Sequence, residues 1–221
     1  MVKAVIFDLW GTLIENGVNP SPSKQVRYFL RLRVQFSEFI TTFEDSFMKK
    51  DFESLKEAFE NVVKDFNIKI PDFVYDKMVG MWNKNAILST MYEETEKILK
   101  QLKKEGYKIY LLANIDRFAY DQVNQKFKLD KLFDNVFKSY ETGFLKSDKQ
   151  AYLQIVEEAG VKPEEVIVVG DCLNSDMAGA ENAGLKGILV DRRDMREYER
   201  KIVTLSELPE FLKNIWGFLF K

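Results

Sequence analysis

Five short runs of continuous apolar residues recur along the chain, and they constrain its fold more than any other feature. They are Lys3–Asp8 (KAVIFD), Tyr107–Ala113 (YKIYLLA), Asn135–Lys138 (NVFK), Val166–Gly170 (VIVVG) and Gly187–Asp191 (GILVD). Apolar residues that do not alternate with polar ones mark strands buried on both faces, the condition of a parallel sheet covered by helices. Helical patterns lie between the runs. Glu94–Glu105 sets Ile98, Leu99 and Leu102 at helical spacing and stops at Gly106, and Asp148–Ala159 presents Ala151, Tyr152, Ile155, Val156 and Ala159 and stops at Gly160. This alternation predicts an α/β fold built on a doubly wound parallel sheet.

The stretch from Glu15 to Tyr92 breaks the alternation. It holds no strand-like run, and its apolar residues fall three and four apart: Phe29, Leu32, Phe36, Phe39, Ile40, Phe43, Phe47, then Phe52, Leu55, Phe59, Val62, Val63, Phe66. Pro20 and Pro22 punctuate its start and Ile70-Pro71 divides its helices. The expectation is an all-helical insert at 15–92, packed on its own phenylalanines, that splits a core formed by 1–14 and 93–221.

Composition then removes whole classes of chemistry. The chain has no His, so a Ser-His-Asp triad, a His-ligated zinc and imidazole acid/base catalysis are all excluded. A single cysteine, Cys172, excludes an internal disulfide or a thiolate metal cage. Thirty-three Lys and Arg against 35 Asp and Glu leave a formal charge of −2, with no like-charge block, which argues against nucleic acid as a partner. No apolar run reaches the roughly 18 residues of a membrane span, and Asp8 interrupts the apolar start, unlike a secretory signal. The expected location is cytoplasmic. Hydrolytic chemistry is left to carboxylates, lysines, hydroxyls or an oxygen-ligated metal.

In an open α/β sheet ligands bind beyond the carboxyl ends of the strands, at the point where strand order reverses. The first run ends in Asp8-Leu-Trp10-Gly-Thr12-Leu, the second in Ala113-Asn114, and the fourth in Gly170-Asp171-Cys-Leu-Asn-Ser-Asp176, leading into a small-residue helix at Met177–Ala183. Lys146 follows the third run. Carboxylates at neighbouring strand ends repel one another unless a positive charge lies between them. A hard divalent cation, magnesium above all, meets that need with oxygen ligands, and Lys146 adds a fixed charge. Taken alone, each Asp reads as a helix cap or turn residue, Asp176 included. That reading does not explain D-x-x-G-T-L, a Lys before a helix, and V-x-G-D-x4-D in this order.

With these motifs the chain resembles the haloacid dehalogenase superfamily of hydrolases, most of whose members are phosphatases, over its whole length. The resemblance implies a Rossmann-like core at 1–14 and 93–221 and a helical cap at 15–92 that closes over it to select a small-molecule, phosphorylated substrate. It implies Asp8 as the nucleophile forming an aspartyl intermediate, Thr12 supporting the motif turn, and Lys146 neutralising Asp8 and the substrate. It further implies Asp171 binding Mg2+ together with Asp8 and the Trp10 carbonyl, and Asp176 orienting metal-bound water or Lys146.

Two positions depart from the family pattern. Phosphatases of the superfamily normally carry a second Asp two residues after the nucleophile, as general acid and base; here that position is Trp10. A Ser or Thr usually precedes the Asn of the second motif; here it is Ala113, leaving Asn114 to supply an amide. General acid/base assistance is worth ~10²–10⁴ in rate, so alkyl phosphates are expected to be slow substrates and aryl phosphates better ones; if both turn over alike, another residue supplies the proton, with Glu15 and Asp116 the first candidates. Hydrolytic 2-haloacid dehalogenases carry an aromatic residue at the Trp10 position, but usually replace the Asp171 carboxylate with Ser. They also use a cap arginine, for which Arg27, Arg31 and Arg33 are available. A third reading is a catalytically degenerate binding protein, with the aromatic segment Leu208–Phe220 as a docking element, although its helical spacing fits packing on the body of the chain. Retained Asp171 ranks phosphate monoester hydrolysis first.

Overall fold

The computed structural model describes residues 1–218. Strand β1 (Ala4–Phe7) leads through a tight turn into the two-residue β2 (Ile14–Glu15). Four helices follow, α1 (Pro22–Phe29), α2 (Phe36–Met48), α3 (Leu55–Asp65) and α4 (Asp72–Leu88), then β3 (Thr90–Met91). The chain continues through α5 (Thr95–Lys104), β4 (Lys108–Ala113), α6 (Arg117–Phe127), α7 (Leu129–Leu132), β5 (Asn135–Lys138), α8 (Ser139–Thr142) and α9 (Gln150–Ala159). It ends with β6 (Val166–Gly170), α10 (Ala178–Asn182), β7 (Lys186–Val190), β8 (Lys201–Ile202) and α11 (Leu208–Phe218).

Six strands form one parallel sheet in the order β5-β4-β1-β6-β7-β8. The chain leaves β1 toward β4 and β5, then returns to the other side of β1 for β6, so the order reverses at β1. Both faces are dry, as the apolar runs require. Val5, Phe7, Ile109, Leu111, Val169 and Ile188 face a cluster that includes Leu99 and Leu102 of α5 and Leu208 and Leu212 of α11. Ala4, Ile6, Tyr110, Leu112 and Val168 face Tyr152 and Ile155 of α9 and Ala180 of α10. The end of the aromatic C-terminal segment, Phe220 included, lies outside the described residues.

Helices α1–α4 pack around a separate apolar cluster. Phe47 is its hub, with ring centroids 5.1 Å from Phe43, 4.7 Å from Phe59 and 4.8 Å from Trp82. The helical periodicity of 29–47 is interrupted where α1 ends at Phe29 and α2 starts at Phe36, with Arg31 between them at φ 52°. The expectation of no strand in this stretch needs amendment at its edges: Ile14 and Glu15 pair antiparallel with Met91 and Thr90, a two-residue ribbon joining both ends of the insert. Such a ribbon is too short to show a period of two. The helix expected at Met177–Ala183 is also revised, into a π-helical turn at Leu173–Met177 followed by α10.

Candidate active site

Asp8, Asn114 and Asp171 follow directly on β1, β4 and β6, the three strands that meet where the order reverses. The turn after β1 is drawn tight by Leu13 and Ile14 N–H groups donating to the Leu9 carbonyl and Gly11 N–H donating to Ile14. None of these bonds uses the Trp10 carbonyl. Gly11 sits at φ +80°, and a side chain there would place a Cβ 2.7 Å from Asp171 Cγ, so the motif glycine is needed for the close approach of the two loops.

Lys146 lies at the centre of the site and is buried. Its ammonium donates to Asp8 Oδ1 and, at 2.8 Å, to Asp176 Oδ1. Thr12 Oγ1 donates to Asp8 Oδ2 at 2.9 Å, so both Asp8 oxygens have a donor. Asp176 does not act as a simple helix cap. Its Oδ2 accepts from Cys172 N–H at 3.0 Å across the π-helical turn, which brings its other oxygen onto Lys146. Gly170 makes room for it, since a Cβ there would lie 2.6 Å from Asp176 Cβ.

One carboxylate oxygen each from Asp8, Asp171 and Asp176 falls within 4.8 Å of the others. Burial, against the pull of the Lys146 charge, raises Asp8 to about 6. Burial and the adjacent Asp8 and Asp176 charges push Asp171 up to about 8. Lys146, despite its burial, is held well above the usual lysine range by Asp176 and Asp8. One ammonium among three carboxylates leaves a net negative, all-oxygen donor set, which fits a hard divalent cation such as Mg2+.

Two residues that the sequence did not single out brace this arrangement. Arg192 donates to the Thr12 carbonyl at 2.7 Å, to Gly11 at 3.3 Å and to Glu94 at 2.8 Å, and its guanidinium lies 3.3 Å from the Tyr92 ring centroid. Arg196 donates to the Asp171 carbonyl and to Asp191 Oδ1 at 3.0 Å. The clue in the sequence was their place just after a fifth buried strand.

Asn114 joins the core to the helical insert. Its Oδ1 accepts from Lys146 N–H at 2.9 Å and its Nδ2 donates to Glu44 of α2, also at 2.9 Å. Beside it lies a cavity of about 170 Å³ whose lining includes Trp10, Glu44, Trp82, Asn114 and Asp116. Of the two acids that sequence proximity offered, Glu15 is exposed and paired into β2. Asp116 is buried but engaged, accepting Trp82 Nε1 at 2.7 Å and capping α6 through Ala119 N–H at 3.0 Å. None of Arg27, Arg31 and Arg33 lines this cavity; Arg27 and Arg31 instead border a separate groove with Tyr28, Phe29 and Phe73.

Known proteins resemble this chain over nearly its whole length. The glyceraldehyde 3-phosphate phosphatase of Methanothermobacter thermautotrophicus is 26% identical over 216 residues, covering 94% of this chain and 93% of the relative. The pyrophosphatase PpaX of Bacillus mycoides is 27% identical over 234 residues, covering 98% of this chain and 99% of the relative. Among solved structures, a 2-haloacid dehalogenase from Pseudomonas syringae pv. tomato superposes with a TM-score of 0.66 at 20% identity, covering 97% and 100% of the two chains, a likeness of fold alone. Residues 2–184 match the family of haloacid dehalogenase-like hydrolases, and the chain, with its parallel sheet and its acid–lysine cluster, belongs to that family.

Proposed function

We propose that the protein is a magnesium-dependent phosphate monoester hydrolase that works through an aspartyl-phosphate at Asp8. The observation that carries this reading is the grouping of Asp8, Asp171 and Asp176 around Lys146, with Asp171 retained as a carboxylate. A metal site is of direct use when the substrate is a dianion. The phosphatase names of the full-length relatives support it.

Asp8, Asp171 and the Trp10 carbonyl would hold the cation, which when bound offsets the carboxylate charge and polarises the phosphoryl group. The protein's own residues do the rest. Lys146 and Thr12 hold the two Asp8 oxygens, fixing the carboxylate for attack on phosphorus. The Lys146 ammonium is placed to meet charge on the phosphoryl oxygens. Asp176 holds Lys146 in position. Residues 1–14 and 93–221 serve as the core, and 15–92 as a cap that closes over the substrate and excludes water.

A panel of phosphate esters and 2-haloacids, assayed with and without magnesium, tests the reading. Phosphate release that requires magnesium and is lost in Asp8→Asn is the expected result. Halide release with every phosphate ignored would overturn it, and would give Trp10 the role of lining a dehalogenase pocket.

A further inference from the structure

The site as described lacks a group to protonate the leaving oxygen, because Trp10 has no acidic proton to give and Asp116 has both oxygens engaged. Glu44 is placed differently. It reaches from α2 into the cavity that Trp10 also lines, and Asn114 ties it to the loop that carries Lys146. Its Oε2 accepts from Asn114, whereas its Oε1 has no donor among the described residues. The charges of Lys146, Asp176 and Asp8 act on it from the core. Burial pushes Glu44 up to about 7, against the Asn114 hydrogen bond and the Lys146 charge, with Asp176 and Asp8 adding to the rise. A carboxyl in that range populates both forms near neutrality, the condition for one group to act in turn as acid and base.

We propose that Glu44, contributed by the helical insert, is the general acid and base of the reaction, in place of an acid at position 10. This rests on the phosphate-ester reading above. In the first half-reaction an Asp8 oxygen bonds to phosphorus and the phosphorus–oxygen bond to the leaving group breaks. The Glu44 proton passes to that oxygen, so an alcohol departs and Glu44 becomes a carboxylate. In the second half-reaction Glu44 takes a proton from water as the water oxygen bonds to phosphorus. The Asp8–phosphorus bond breaks, inorganic phosphate leaves, and both Asp8 and Glu44 return to their starting forms. Because the acid belongs to the insert, chemistry is complete only when insert and core are together, which links substrate enclosure to proton transfer.

The test is Glu44→Gln assayed with glycerol phosphate, whose alkoxide needs a proton, and with p-nitrophenyl phosphate, whose phenolate does not. Gln keeps an oxygen to accept from Asn114, so a merely positional role survives the change. The expected result is a ~10²–10⁴-fold loss of kcat/KM on the alkyl ester and a much smaller loss on the aryl ester, so the alkyl-to-aryl ratio collapses. The ratio is taken within one sample and is therefore independent of how much variant is folded. Equal losses on both esters, or an undiminished alkyl rate, would overturn the role of Glu44 while leaving the phosphate-ester reading intact. A wild-type protein inactive on both esters with magnesium would instead overturn that reading, and this inference with it.

Discussion

At the scale of single residues, the cluster concentrates negative charge where burial makes it expensive. Asp8, raised to about 6, and Asp171, raised to about 8, both hold a proton in the folded chain at pH values where an unfolded carboxyl has released it. A group whose folded value is raised contributes stability below its unfolded value and loses it as pH climbs toward the folded one. The metal-free protein should therefore lose stability from about pH 4 to about pH 8 through these two groups. Thermal unfolding in a chelator should show Tm falling across that window, and Asp171→Asn should flatten the slope. Added magnesium should raise Tm most at the upper end, where the carboxylates are charged. A metal-free Tm that rises with pH, or an unchanged slope in Asp171→Asn, would contradict this account. Asp8, Thr12, Lys146, Asp171 and Asp176, which the structure brings together, stood out in the sequence through their order after buried strands and the resemblance which that order carries. Glu44 did not. Within α2 it reads as one charged position on an amphipathic helix, and its partner lies 70 residues further along the chain.

At the scale of elements, apolar runs and helical periodicity located the five central strands and helices α5 and α9, because burial of a strand or a helix face leaves a local pattern. The two-residue ribbon of β2 and β3 left none, since its pairing depends on partners that only the insert brings together. The π-helical turn after β6 was likewise hidden: its extra residue is set by the Cys172 carbonyl accepting from both Asp176 and Met177. Polar contacts join α4 to α6, and the buried one is Trp82 Nε1 donating to Asp116, the N-cap of α6, alongside Gln122 donating to Asn83. Trp82→Phe keeps most of the ring contacts but deprives a buried carboxyl of its donor. A loss of ~1–3 kcal/mol is expected, measured by urea unfolding followed through both near- and far-ultraviolet circular dichroism. A variant as stable as wild type would show that Asp116 needs only its backbone cap. Stabilisation would point to relief of a buried mismatch at Trp82.

At the scale of the whole molecule, the insert and the core meet through specific polar contacts as well as apolar packing. Asn114 donates to Glu44, Arg117 to Asp51 at 2.7 Å and to the Phe52 carbonyl at 2.7 Å, and Lys126 to the Ser89 carbonyl at 2.6 Å. Leu145, one residue before Lys146, packs into the apolar cluster of the insert. The loop that carries the ammonium is thus shared between both parts, and none of this sharing could be read from local sequence patterns. The proposed phosphate-ester hydrolysis rests on Asp8 as the nucleophile toward phosphorus. Acid-quenching wild-type protein during turnover of a phosphate ester with magnesium, then mapping peptide masses, tests that claim most directly. A phosphoryl adduct on the peptide bearing Asp8, absent in Asp8→Asn, is predicted. Turnover with a phosphoryl adduct on a different peptide, or undiminished turnover in Asp8→Asn, would contradict it.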